Sequence, residues 1–344
     1  MREQEITHQA SSETPRASVS QHRAVMIANP TSGSYVRHAH DVEETVAFLQ
    51  QADWQVDLRL TEAAGDGRRL AREAVAQEVE VVIAAGGDGT INEVIQELAG
   101  SETALGVLPI GTINVWAREM EIPLESTGAR EVLLHGETRR IDLGCVNDRY
   151  FLLMVGIGFD GEVAQSVEKK HFKRFGVLGY LLTSLRMSVR FDSFRVSLKM
   201  DRRDVRTRAV QIVIGNTQLY GGAIKVTSHA KCDDGLLDVC IVHRGSPLRH
   251  LLLLMDFLLH RQQGHQGVSY ETCESLEVRT RRPIAMQIDG DSAGQTPAVL
   301  RAVPNALKVI IPQKRSEGIF KQEREPNEAD PIMSVSKGFG YPIS

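Results

Sequence analysis

The segment Gly86-Gly87-Asp88-Gly89-Thr90 follows the apolar run VVIAA and precedes INEVIQEL, whose apolar spacing is helical. These residue types suit a phosphate. Gly86, Gly87 and Gly89 lack a Cβ, so the backbone is expected to approach a phosphate closely and to adopt positive φ. A helix starting near Thr90 presents free N–H groups and the positive end of its dipole to an anion. Asp88 sits awkwardly beside phosphates unless a cation accompanies them, and a nucleoside triphosphate with Mg²⁺ removes the conflict. A glycine-rich turn with an ordinary turn aspartate is the bland alternative. Two more turns end apolar runs, Asn29-Pro30-Thr31-Ser32-Gly33 and Leu108-Pro109-Ile110-Gly111-Thr112-Ile113-Asn114, and Thr61 follows the run LRL. Each alone reads as a plain turn. Together, at strand ends of one open parallel sheet, they would surround the place where such sheets bind ligands. Later, CDDGLLDV (232–239) and QIDGD (287–291) carry paired carboxylates, and in isolation both read as acidic turns.

The elements that must hold these residues are legible. AVMIAN reads as a buried strand, His38–Gln51 as a helix, WQVDLRL as an alternating strand and GDGRRLAREAVAQ as a helix. Strand, glycine turn and helix then recur twice, through AAGGDGT and through LPIGTIN. Strands alternating with helices indicate βαβ units, so residues 22–143 are expected to form a doubly wound α/β domain with a mostly parallel sheet. After Asp142 short β-rich runs dominate, with helix candidates only at Phe175–Val189 and Pro247–Gln262. Residues 144–312 are therefore expected to form an antiparallel β-sandwich or barrel-like domain. Residues 1–21 read as a polar flexible leader and 313–344 as a charged, turn-rich tail.

Composition narrows the classes. At about 150 residues per domain, 344 residues suggest two domains. A net charge of −4 argues against a whole-protein polyanion binder. The four cysteines form no CxxC pair, which removes a zinc knuckle and fits a reducing cytoplasm. LLLLMDFLL (251–259) is interrupted by Asp256 and falls short of the roughly 20 residues of a membrane span. A soluble or peripheral protein is expected.

The ordered set NPTSG (29–33), AAGGDGTINEV (84–94), LPIGTIN (108–114), RRIDLG (139–144), YGGAIKV (220–226), CDDGLLDV and QIDGD resembles the diacylglycerol kinase/sphingosine kinase superfamily, particularly its bacterial soluble lipid kinases. GGDGT is shared with NAD kinases; the later blocks favour the lipid branch. The resemblance implies ATP and Mg²⁺ as cofactors. It implies that Asn29, Ser32 and Thr61 lie at the nucleotide, and that Gly86, Gly87, Asp88, Gly89, Thr90 and Asn92 form the phosphate loop with Thr112 beside it. It gives Asp88 a role with Mg²⁺ and Asp142 a role in the metal and water network. Asp234, with the carbonyls of Lys231 and Leu236, matches a second Mg²⁺ site. Asp291 occupies the position of the family's catalytic Glu, one methylene shorter, and Asp289 is placed to assist it or take over. Val115 stands where bacterial relatives commonly carry an acid, which removes one carboxylate from the expected Mg²⁺ network.

The expected reaction moves the γ-phosphoryl of ATP to a lipid hydroxyl, diacylglycerol first and a sphingoid base or other lipid alcohol next, in a cytoplasmic enzyme touching the membrane transiently. A homodimer is left open. Residues 168–174 and 186–208 carry local excesses of base that read as a solvated face or, in a lipid kinase, as a contact for anionic headgroups. Phe172, Phe175, Leu178, Tyr180, Leu181 and Leu182 lie beside them. Base-stacking aromatics are not interleaved with this charge, so nucleic acid is not an expected partner. Two rivals stay open. One is an NAD kinase-like phosphotransferase on a soluble acceptor; the other is a nucleotide- or lipid-binding regulator without turnover, which Val115 and Asp291 would favour.

Overall fold

The computed structural model describes residues 22–30, 33–158, 193–201, 203–222, 224–246, 267–315 and 317–321, with Arg249, Leu253 and Asp256 between them. Ser32, the basic run 168–174 with its apolar neighbours, the helix candidate 175–189 and the ends of the chain lie outside these residues. Of the candidate 247–262, the three described residues are helical.

The first part alternates strands and helices: β1 (Arg23–Ala28), α1 (Gly33–Gln51), β2 (Gln55–Leu60), α2 (Asp66–Ala76), β3 (Val81–Gly86), α3 (Asp88–Leu98), β4 (Ala104–Pro109), α4 (Val115–Glu119) and α5 (Ser126–His135). The strands run parallel in the order β4-β3-β1-β2. Helices α2 and α3 pack on one another, as do α1 and α5, and the two pairs cover opposite faces of the sheet. That burial on both faces explains why β1, β3 and β4 are almost wholly apolar and buried, whereas the edge strand β2 alternates. The first helix begins five residues earlier than its apolar spacing suggests. His38 breaks its dihedrals at φ −121°, and the His38 ring is held by the Asp41 carboxylate at 2.6 Å.

The second part is antiparallel: β5 (Glu137–Val146), β6 (Arg149–Phe151), β7 (Met154–Gly158), β8 (Phe194–Met200), β9 (Arg203–Gly215), β10 (Leu219–Tyr220), β11 (Ile224–Lys225), β12 (Leu237–His243), β13 (Val268–Cys273), β14 (Ser275–Thr280), β15 (Ala285–Ile288), β16 (Asp291–Gln295) and β17 (Ala298–Ile311). The long β9 changes partners along its length. Its first half pairs with β8 and is exposed on one face; its second half, from Ala209, lies between β7 and β12 and is buried throughout. Strand β17 returns to the first sheet, where Lys308 and Val309 pair in parallel with Ala104 and Leu105 while β5 and β14 lie antiparallel to it. The chain is thus an α/β unit with a mostly parallel sheet joined through β5 and β17 to an antiparallel β domain. Among the described helices, none is long and apolar enough to cross a membrane.

Candidate active site

In the order β4-β3-β1-β2 the chain reverses its winding between β1 and β3, so a crevice opens at their carboxyl ends. Ala28 pairs with both Leu60 and Ala85, and Gly86 pairs with Pro109. The register therefore brings Asn29, Thr61, the Gly86–Thr90 turn and the Gly111–Asn114 turn to one edge. Thr61 is buried and its N–H donates to the Ala28 carbonyl at 2.9 Å, while Thr112 is exposed.

The glycines serve close approach. Gly86, Gly87 and Gly89 are all absent from the residues with positive φ, contrary to the expectation from their sequence, and Gly87 is extended at φ −101°. What a side chain would lack is space. A Cβ on Gly111 would lie 2.4 Å from the Gly87 Cα, so the two glycine turns touch backbone to backbone, and a Cβ on Gly86 would strike the Thr90 side chain. Over Gly89, at the first turn of α3, nothing lies within 4 Å.

Asp88 holds the two turns together. Its carboxylate accepts the N–H groups of Val115 at 3.0 Å and Trp116 at 3.1 Å, the first residues of α4. Burial pushes its pKa upward against those two hydrogen bonds. Asn114 makes the turn: at φ 55°, a conformation Asn tolerates, its amide donates to the carbonyls of Pro109 and Gly111. Its Oδ1 is buried with no partner and points toward Gly87 and Gly111. An orphaned carbonyl oxygen near a carboxylate fits the oxygen-only donor set that Mg²⁺ takes. Side chains alone do not form such a set, since no group of three or more His, Cys, Asp or Glu among the described residues could hold a metal.

The second half of the site comes from the β domain. Asp289 and Gly290, at φ 47° and 92°, make the two-residue turn between β15 and β16, with Ile288 paired to Asp291. The Asp289 carboxylate accepts four N–H groups, from Leu152 at 2.8 Å, Leu153 at 3.0 Å, Met154 at 2.9 Å and the Asn92 amide at 2.9 Å. Burial raises its pKa to about 6 even so. Asn92, one turn into α3, also accepts from Arg149 at 2.8 Å, and Arg149 lies 3.4 Å from Asp291. Asp289 is thus fully engaged, whereas the Asp291 side chain is 57% exposed.

Asp142 lies with the acidic loop. Its carboxylate accepts from Gly235 at 2.6 Å and Asn305 at 2.7 Å, and its N–H donates to the Cys232 carbonyl. Asp234 accepts from the Leu236 N–H, and Lys231 donates to the Gly318 carbonyl. Burial raises the pKa of both Asp142 and Asp234, and their neighbour Asp233 pushes the same way. Arg139 offsets part of this charge by pairing with Asp233 at 2.9 Å.

Two contributors have no motif to announce them, Arg149 and Glu119, while Asn114 closes the LPIGTIN block without having been assigned a role. Glu119 ends α4, is 9% exposed, and accepts the N–H groups of Gln218 at 3.3 Å and Leu219 at 2.6 Å. Burial raises its pKa to about 7. It ties the helix that follows the Gly111 turn to the β10–β11 hairpin. A buried acid at the end of a short helix was the available signal, and sequence alone does not reveal that α4 is buried.

A parallel sheet with glycine turns at its switch point, facing a hairpin that displays a carboxylate, has the layout of a nucleotide-dependent phosphotransferase. Comparison with known proteins agrees. Residues 23–146 match the diacylglycerol kinase catalytic domain and residues 153–311 the YegS C-terminal NAD kinase beta sandwich-like domain. A diacylglycerol kinase of Bacillus subtilis (strain 168) is 29% identical over 86% of this chain and 98% of its own. One from Staphylococcus epidermidis is 28% identical over 89% and 96%. Among solved structures, a diacylglycerol kinase from Bacillus anthracis str. Sterne has a TM-score of 0.64 at 20% identity, covering 85% of this chain and 97% of its own. Another crystal structure from that organism reaches 0.73 at 23% identity, covering 85% and 98%. At those identities the likeness to solved structures concerns the fold. The two domain matches, side by side over most of the chain, make it a member of the diacylglycerol kinase family, of the bacterial lipid-kinase type. It is a lipid kinase, a phosphotransferase that uses ATP.

Proposed function

We propose that the protein phosphorylates diacylglycerol to phosphatidic acid with Mg²⁺-bound ATP. The observation that carries the reading is the link Gly89–α3–Asn92–Asp289, which joins the phosphate-binding turn to the hairpin bearing Asp291. Asn29, Ser32, Thr61, Gly86, Gly87, Gly89, Thr90 and Thr112 are the proposed surroundings of the nucleotide, with Asp88 and the free Oδ1 of Asn114 toward its Mg²⁺. The metal supplies charge neutralisation on the phosphates. The acceptor hydroxyl oxygen bonds to the γ-phosphorus as the β–γ bridging bond breaks to release ADP, and the hydroxyl proton passes to Asp291. Asp289 acts as a positioning residue, because four N–H donors occupy its oxygens. Asn92 and Asp289 hold the turn, and Arg149 steadies Asp291.

Asp234 and the carbonyls of Lys231 and Leu236, with Asp142 near, are the proposed second Mg²⁺ site. The upward pKa shifts of Asp142 and Asp234 support it, since a cation there would relieve their burial and mutual repulsion. A lipid acceptor implies transient contact with a membrane surface. A reducing, cytoplasmic setting is supported by Cys145, Cys232, Cys240 and Cys273, all free and buried. The test is transfer of labelled γ-phosphate into a panel of lipids in mixed micelles, with NAD and a sphingoid base alongside. The reading expects an organic-phase product with diacylglycerol. Product with NAD or the sphingoid base alone would replace the acceptor.

A further inference from the structure

Where β8, the first half of β9 and the end of β14 lie side by side, their outward side chains form cross-strand rows. Residues opposite one another in antiparallel strands share a face. Arg195 stands opposite Arg208, and Ser197 stands between Arg206 and Arg279. Arg281, just beyond the Thr280–Val196 pair, lines the same groove of about 530 Å³ as these residues. All five arginines are exposed. Only Arg279 has a carboxylate partner among the described residues, its neighbour Glu277. The next row shows the ordinary arrangement: Lys199 is flanked by Asp204 and Glu277, and its charge is balanced within the row.

Like charges directly across a strand pair are unfavourable, so Arg195 opposite Arg208 is a cost that folding alone does not explain. An anion above the sheet removes it. The chain as a whole carries a net charge of −4, so this concentration of cations is a local departure from its surroundings. Among the described residues the groove is lined by no aromatic side chain on which a base could stack. A cationic sheet face complements a plane of anionic headgroups, and a lipid kinase must meet its acceptor at such a plane. We propose that this arginine face docks the protein on anionic phospholipid bilayers. The partner rests on the lipid-kinase reading; the cationic face itself does not.

The experiment is co-sedimentation of the full chain with vesicles of phosphatidylcholine alone and of phosphatidylcholine with phosphatidylglycerol. The variants are the triples Arg195→Ser/Arg208→Ser/Arg281→Ser and Arg195→Lys/Arg208→Lys/Arg281→Lys. Each arginine removed should lower affinity for the anionic vesicles about fivefold at low salt, while the lysine triple binds and melts like wild type and the serine triple, relieved of the Arg195–Arg208 opposition, melts no lower than wild type. Phosphorylation of a water-soluble short-chain diacylglycerol should be unchanged in every variant. Equal vesicle binding by wild type and the serine triple would overturn the proposal. So would absence of vesicle binding by wild type, or displacement from the vesicles by a single-stranded DNA oligomer at lower concentration than competing vesicles. Vesicle binding lost in the serine triple, with no phosphoryl transfer to any lipid, would leave the docking face standing and remove the kinase reading.

Discussion

Asp289 and Asp291 are two residues apart and stand in opposite surroundings. Asp289 lies where three main-chain N–H groups and the Asn92 amide converge, and removing its carboxylate orphans all four. Asp289→Ala is expected to destabilise the fold by about 3 kcal/mol, read from the denaturant midpoint. An unchanged midpoint would mean the turn is held by something else. The sequence showed two carboxylates at one turn but not the division between them. An Asp-Gly-Asp turn announces a hairpin through its Asp-Gly step, whereas which carboxylate is consumed by backbone donors depends on Leu152–Met154, more than 130 residues earlier in the chain. Glu119 was illegible for the same reason, because its partners belong to a hairpin a hundred residues later.

At the scale of elements, the alternating strands and helices of the first part and the short β runs of the second were readable from apolar periodicity. The parallel pairing of β17 with β4 was not, since nothing in a terminal run such as LKVIIP says which sheet it joins. The Gly86–Thr90 segment was readable as a glycine turn between strand and helix and misread in its backbone. Its glycines clear space for a second turn and for Thr90, and none relies on a left-handed backbone. Gly111→Ala should therefore drive a methyl into the Gly87 backbone, costing about 1–3 kcal/mol and raising the KM for ATP. Gly89→Ala, with open space above it, should leave the folded stability within about 1 kcal/mol of wild type. Thermal melts with and without ATP separate the two, and equal losses from both substitutions would contradict the packing described.

At the scale of the whole molecule, the buried acids share one sign. Glu119 and Asp238 are raised to about 7 and Asp289 to about 6, in each case chiefly by burial. A carboxyl whose folded pKa exceeds its unfolded value binds more protons in the folded state. Its stabilising contribution is full below the unfolded pKa near 4 and is lost as pH rises through the folded pKa. The half-buried Asp66 and Glu97 and the exposed Glu102, each paired with basic side chains, are shifted downward and act below that window. Stability should therefore decline between about pH 4.5 and 7.5, and Glu119→Gln should flatten that slope. A rise across the window in urea titrations would contradict the burial argument. The central claim joins both domains: a nucleotide turn on one delivers a phosphoryl group to a hydroxyl deprotonated by Asp291 on the other. The most direct measurement is phosphatidic acid formation from diacylglycerol and Mg-ATP by wild type, Asp291→Asn and Asp291→Glu. The account predicts a kcat about 10²–10⁴ lower in Asp291→Asn, unchanged KM for ATP and substantial recovery in Asp291→Glu. Wild-type turnover in Asp291→Asn would contradict it.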